Sequence, residues 1–157
     1  MGRSDVVVIG GGIIGLTLAC EVARLGAKDV VVLEAGEPGG QSTGRSSGGI
    51  RRQFGNRLEI EMTLAGLRFY ESVFADPQFD GVFAQVGYAF LCGPDSADEL
   101  ARAWQLQQEV GLEVAWLDRP EPAERFPYVN SRTLVGGTFC QDDGIVDPWS
   151  LCPSRSS

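Results

Sequence analysis

Gly10, Gly12 and Gly15 stand in GxGxxG spacing between an apolar run and a helical segment, and this junction constrains the chain more than any other stretch. The run before it, Val6 to Ile9, is β-branched throughout and long enough for one buried parallel strand. A helix is predicted from about Ile13 to Leu25, because Thr17, Glu21 and Arg24 fall on one face, with Gly26 placed to close it in a left-handed turn. A second apolar run, Val30–Leu33, ends in Glu34, nineteen residues past Gly15. Gly10 permits the tight turn, Gly12 lacks the Cβ that would block a pyrophosphate, and Gly15 allows close helix–sheet packing. The orphan N–H groups of the first helical turn, near Ile14, stabilise phosphate charge, and Glu34 can accept both hydroxyls of an adenosine ribose. The spacing alone is equally compatible with a plain glycine-rich turn. With strand, helix, strand and acid in register, the reading is a dinucleotide site. An acid there disfavours NADP by repelling a 2′-phosphate, but does not separate NAD from FAD.

The 157 residues suffice for one domain with a real core. Thirteen basic against 21 acidic residues give a net charge of −8, with Lys28 the single lysine. With no basic stripe to neutralise phosphates, nucleic acid is not expected as a partner. Cys20, Cys92, Cys140 and Cys152 form no CxxC pair, which reads as buried free thiols in a reducing compartment, the cytoplasm, with no metal. Val6–Cys20 is interrupted by glycines and does not read as a signal peptide, and no stretch is long enough to span a bilayer. The chain contains no histidine, so histidine-based acid–base catalysis, a Ser-His-Asp triad and a histidyl–flavin bond within it are excluded.

After Glu34 comes AGEPGGQSTGRSSGG, to Gly49. A flexible linker is the plain reading, but the segment lies between a strand and apolar structure, and its small side chains suit a backbone wrapped around a polyanionic or aromatic cofactor. A helix over Arg57–Phe74 is predicted, with Asn56 as N-cap, Glu59 completing a capping box, and apolar stripes Leu58–Met62–Ala65–Phe69 and Leu64–Leu67–Tyr70–Phe74. Strand pieces follow at Phe83–Val86 and Tyr88–Cys92 around Gly87, then a helix over 97–110 with a Ser96/Glu99 capping box, ended by Gly111. Further elements are a strand at 114–117, a short helix over 119–126 begun by Pro120, and a strand at 134–141. Asp142, Asp143 and Asp147 do not have the spacing of a calcium loop and read as a solvated turn. Asp147–Pro148 looks like the start of another helix, which CPSRSS does not continue.

The run VVVIGGGIIGLTLACEVARLGAKDVVVLEAG, then STGRSSGGIRRQF, then QDDGIVDP, resembles the FAD-dependent amine and amino-acid oxidoreductases of the D-amino-acid oxidase superfamily. The likeness is strongest to the sarcosine oxidase β-subunit, sarcosine dehydrogenase and dye-linked proline dehydrogenase branch. It implies an α/β fold: an incomplete FAD-binding, Rossmann-like parallel sheet unit, plus the start of a mixed α+β substrate domain. The division expected is 1–80 for the FAD part, 81–147 for the substrate part and 148–157 for a truncated or non-native tail. The resemblance implies oxidation of an amine or amino acid, sarcosine- or proline-like, to an imine, with hydride passing to the flavin and electrons on to oxygen, a quinone or a partner flavoprotein. By the same resemblance Gly10, Gly12, Ile14 and Gly15 match the pyrophosphate turn, and Glu34 with Ala35 the adenosine ribose. Ser42, Thr43, Arg45, Ser46, Ser47, Gly48 and Gly49 match the stretch running beneath the pyrophosphate. Arg51 matches an arginine near the flavin, a charge partner for the ring or for a substrate carboxylate, against the plainer reading of a surface ion pair. The family's cysteine before its glycine pair is Ser46 or Ser47 here. Further cofactor-domain strands and most substrate contacts are expected beyond residue 157, so this chain alone is expected to be a weak catalyst, with a hetero-oligomer a natural context. Two other functions fit the glycine turn: a non-catalytic nucleotide-binding fragment or subunit, and an NAD-dependent dehydrogenase.

Overall fold

In the computed structural model, residues 3–77, 81 and 83–152 are described. Those up to Gly48, Gly81 and those from Val146 onward form one compact unit, and residues 49–77 with 83–145 form a second.

The first unit is built on the glycine junction. Strand β1 (Val6–Ile9) pairs in parallel with β2 (Val30–Leu33), Val6 opposite Val30 and Ile9 opposite Leu33, and helix α1 (Ile13–Arg24) is the crossover. Asp5 ties the base: its carboxylate accepts from the backbone N–H groups of Lys28 and Asp29. Gly26, at φ +106°, ends the helix as its composition predicts. The expectation of a buried strand needs correction, because only Val8 is buried in β1, while Val7 is 52% and Ile9 87% exposed. A strand is buried on both faces only when layers cover both, and the described residues of this unit do not supply them. Helix α1 likewise has no buried residue.

The rest of this unit is a coil over residues 37–46 and a turn over 147–152. The coil winds through successive backbone bonds, from Gly40 N–H to Glu37, Gly44 N–H to Gly39, Arg45 N–H to Gln41 and Ser46 N–H to Thr43. The helix expected at Asp147–Pro148 is a turn instead, closed by Ser150 N–H on the Asp147 carbonyl. It packs on the coil so tightly that a Cβ at Gly44 would lie 2.6 Å from the Trp149 ring, and one at Gly39 2.9 Å from Cys152 Cβ. Glycines that look like cofactor clearance are therefore also packing sites. Of the CPSRSS end, Cys152 is buried and 153–157 lie outside the described residues.

The second unit is mixed α+β. Strand β7 (Gly136–Cys140), buried at every residue, lies between β5 (Tyr88–Cys92) and β6 (Ala115–Asp118), antiparallel to both. A small second sheet has the order β3 (Gly49–Ile50), β8 (Gly144–Val146), β4 (Phe83–Ala84). Helices α2 (Arg57–Phe74), α3 (Ala97–Glu109) and α4 (Glu121–Arg125) complete it. Strands β3 and β8 were not predicted, since two or three residues carry no periodicity to read. The core is Ile60, Leu112, Val114 and Cys140, with Phe54, Leu64, Trp104, Leu106 and Val110 packed against it.

Helix α2 is capped by Asn56 as predicted, its Oδ1 accepting from the Glu59 N–H at 2.9 Å, but Glu59 Oε2 accepts from the Asn56 side-chain amide, not from its backbone N–H as the expected capping box requires. Its apolar face differs. Leu58 and Met62 are each 66% exposed, and the buried residues are Ile60 and Leu67. The helix offers two apolar stripes, and the one that Ile60 extends, through Leu64 and Leu67, is the one that packs into the core. At α3 the predicted capping box does not form. Pro94–Ser96 makes a 3₁₀ turn, and the Ser96 hydroxyl donates back to the Gly93 carbonyl.

Of the four cysteines Cys20 is exposed, against expectation, and Cys92, Cys140 and Cys152 are buried. Burial raises the last three thiols, Cys140 to about 11 with Asp143 as the next cause. Native thiol titration is expected to modify Cys20 alone and to reach the others only on unfolding. Prompt modification of a second thiol would contradict this packing.

Candidate functional site

The glycine turn is held by bonds that the GxGxxG pattern does not announce. Gly10 leaves β1 at φ +108°, in the region that favours glycine, and its N–H donates to the Leu33 carbonyl at 2.8 Å. Gly12 is the N-cap of α1, and Leu16 N–H makes the first intrahelical bond, to Gly12. That leaves the N–H groups of Ile13, Ile14 and Gly15 without helical partners. The Ile13 N–H is taken by Thr43 Oγ1 at 3.1 Å, so those of Ile14 and Gly15 are the donors that α1 presents to an anion. Gly15 sits directly on the turn: a Cβ there would be 1.9 Å from the Gly10 carbonyl oxygen.

Glu34 ends β2 with its carboxylate fully assigned. Oε2 accepts from Gly11 N–H at 2.7 Å and Oε1 from Gly36 N–H at 2.8 Å. These bonds, Gly11 first, hold the carboxyl below the usual glutamate range. Each oxygen keeps a further lone pair for a ligand hydroxyl. A folded value below the unfolded one means this contribution is fully present above the ordinary glutamate range and lost as pH falls through the lowered value. Glu34→Gln is expected to flatten the acid side of the stability–pH profile, measured by denaturant titration at several pH values. An unchanged acid limb would show that Glu34 is not what fixes the turn. Gly11 and Gly36 were missed from sequence, although the GGG run was a visible signal for the former.

The arm from Ala35 to Gly48 places Ala35, Ser42, Arg45, Ser46 and Ser47 on the surface, with Thr43 partly covered. The Ser46 hydroxyl donates to the Thr43 carbonyl at 2.8 Å, which keeps Thr43 in the turn that meets α1. Gly39 N–H donates to Gly11, a second tie from arm to glycine turn. Gly48, at φ +68°, would place a Cβ 1.9 Å from the Val146 carbonyl oxygen. Glycine is required there by the chain itself.

In the second unit, Gly49 lies in β3 opposite Ile145. Arg51 follows, with its guanidinium carbon 5.3 Å from the Phe54 ring centre, 5.9 Å from Tyr88 and 5.4 Å from Phe90. Among the described residues it joins no ion pair, so the surface ion-pair reading does not describe it. The pairing belongs to its neighbour: Arg52 Nε lies 3.1 Å from Asp143 Oδ1, and Nη2 lies 3.3 Å from Asp142 Oδ2. The Nη2 contact is an ion pair without hydrogen-bond geometry. Asp143 is 1% exposed, which corrects the solvated-turn reading for that residue, whereas Asp142 and Asp147 are exposed as expected. No spacing rule links residue 52 to residue 143, and sequence reading could not find the pair.

The family described as "FAD dependent oxidoreductase" (DAO) matches residues 5–154. The chain is 32% identical over 161 residues to "FAD-dependent oxidoreductase domain-containing protein 1" of Bos taurus, covering 95% of this chain and 33% of that protein. It is 29% identical to the mitochondrial dimethylglycine dehydrogenase of Homo sapiens, covering 95% of this chain and 17% of the relative. Among solved structures, the L-proline dehydrogenase of P. horikoshii superposes with a TM-score of 0.85 at 28% identity, over 96% of this chain and 40% of that one. The chain thus spans about a third or less of the length of these curated relatives.

Proposed function

Because the chain belongs to this DAO family of FAD-dependent oxidoreductases, we propose that it supplies the cofactor-holding turn of an enzyme that oxidises an amine or amino acid, sarcosine- or proline-like, to the imine. FAD, when bound, supplies the hydride acceptor for such a reaction. The observation that carries the reading is the Glu34 carboxylate, pinned by Gly11 and Gly36 N–H groups at 2.7 and 2.8 Å. A carboxylate fixed at both oxygens has its remaining lone pairs aimed, which suits a ribose diol. The N–H groups of Ile14 and Gly15 would receive the pyrophosphate, and Thr43 holds the helix end in place through Ile13. For Arg51 we take the role of binding the substrate carboxylate, supported by a guanidinium held on aromatic faces with no carboxylate partner among the described residues. The names of the relatives, a dimethylglycine dehydrogenase and an L-proline dehydrogenase, favour a substrate that carries both amine and carboxylate. On this reading the unit that carries the glycine turn serves the cofactor, the unit that carries Arg51 begins the part that meets substrate, and oxygen, a quinone or a partner flavoprotein takes the electrons.

The test is the ultraviolet–visible spectrum of the purified chain before and after reconstitution with FAD. Retained flavin with an altered band near about 450 nm is the expected result. Failure to retain FAD, or tighter binding of NAD, would overturn the cofactor assignment.

A further inference from the structure

The QDDG motif has no part in the function proposed so far, yet the buried Asp143 carboxylate accepts three hydrogen bonds. Its Oδ1 accepts from the Arg52 backbone N–H at 3.1 Å and from Arg52 Nε at 3.1 Å, and its Oδ2 accepts from Gln53 Nε2 at 3.2 Å. Its carbonyl accepts from the Gly87 N–H at 2.9 Å. Gln53 Nε2 also donates to the Tyr88 carbonyl at 2.9 Å, and Gln53 Oε1 accepts from the Thr138 hydroxyl at 2.7 Å. Gln53, Thr138 and Asp143 are all buried. These bonds end on Tyr88 or close in the chain or across the sheet to Arg51 and its three rings. Arg52 and Gln53 lie between Arg51 and Phe54, Gly87 precedes Tyr88, and Thr138 is paired with Phe90 across β5 and β7.

We propose that Asp143 is a positioning residue for Arg51, joining the Arg51–Phe54 segment to Tyr88 so that the guanidinium, which has no ion pair among the described residues, is presented on its three rings to a carboxylate ligand. This rests on the reading of Arg51 given above. A cation over an aromatic face is attracted to the ring quadrupole, but the faces accept none of the guanidinium's in-plane N–H donors. Those donors stay available for a bidentate carboxylate. Three rings attract the guanidinium together only if their backbones are fixed to one another. The Arg51–Phe54 segment and Tyr88 are far apart in sequence, and Asp143 bonds to the neighbours of both. The placement of Gly87 is correspondingly tight: it adopts φ +77°, and a Cβ there would meet the Phe139 ring at 2.1 Å.

The experiment uses the chain labelled with ¹⁵N-arginine, with the Arg51 Nε–H resonance assigned by Arg51→Lys. Sodium acetate is the probe and acetamide the neutral control. Acetate is expected to move the Arg51 resonance and acetamide to leave it in place. Asp143→Asn keeps the size of the side chain but replaces one acceptor oxygen with an amide. It is expected to shift the Arg51 resonance toward its unfolded position and to weaken acetate binding by roughly tenfold. Thr138→Val, which removes only the bond to Gln53, is expected to move both readings in the same direction by less. A lowered melting temperature for Asp143→Asn with the resonance and acetate affinity unchanged would overturn the proposal, leaving Asp143 a purely structural ion-pair partner. If Asp143→Asn does not fold, unchanged acetate affinity in Thr138→Val overturns it equally. A different failure, no acetate response in the unsubstituted chain or the same affinity in Arg51→Lys, would sink the reading of Arg51 itself.

Discussion

Gly15→Ala is expected to unfold the unit that carries the glycine turn at markedly lower denaturant than the parent chain, and to abolish flavin retention. Alanine inside a helix is ordinarily favoured over glycine by about 0.8–1 kcal/mol. Here the added methyl would lie 1.9 Å from the Gly10 carbonyl oxygen and 3.1 Å from its carbon. That neighbour is backbone, so no rotamer change relieves the contact, and Gly10 is already committed at φ +108°. Overpacking against such a site costs about 1–3 kcal/mol or more, so the clash outweighs the propensity gain. Gly66→Ala in α2 is the control of opposite sign. A Cβ there meets nothing within 4 Å, and a gain of about 0.5–1 kcal/mol is expected. Equal behaviour of the two variants in denaturant titration would mean that the helix does not sit on the turn as described.

Asp143→Ala has the second large effect expected, a loss of about 3 kcal/mol, the lower end of the range for removing one partner of a buried ion pair. The lower end applies because Arg52 keeps Asp142, an exposed partner 3.3 Å from Nη2. What is lost is the acceptor that Arg52 Nε and N–H and the Gln53 amide share. Those donors would then be left unsatisfied in a site with almost no solvent. The same variant removes one of the causes that raise the Cys140 thiol, burial being the larger. Cys140 is therefore expected to react faster with a thiol reagent than in the parent, though still more slowly than Cys20. A loss in stability under about 1 kcal/mol, the scale of an exposed pair, would show that the Arg52–Asp143 contact does not hold the unit together.

The glycine junction was legible because it is local. Val6–Ile9, Ile13–Arg24 and Val30–Leu33 were each set by a periodicity or an apolar run, and Gly10 and Gly26 by backbone conformations that favour glycine. Asn56 as the cap of α2 is the same kind of information, a side chain bonding three residues along the chain. The capping box at Ser96 failed because a competing 3₁₀ turn, opened by Pro94, was equally compatible with the local sequence.

By itself the sequence determined the order of the longer elements, the parallel start with its glycine turn, and the acid at the end of β2. Tertiary structure decided which neighbours those residues serve. Glu34 is bonded to Gly11 and Gly36, Thr43 reaches back to Ile13, and the glycines of the arm give way to Trp149 and Cys152. It also chose Ile60 over Leu58 for the core, and set Asp143 beside Arg52 and Gln53, 91 and 90 residues away. The physical reason is range. Torsional preference and hydrophobic periodicity act over a few residues and are written in local spacing. Close packing and buried hydrogen bonds depend on which distant backbones meet, and only the folded chain specifies that.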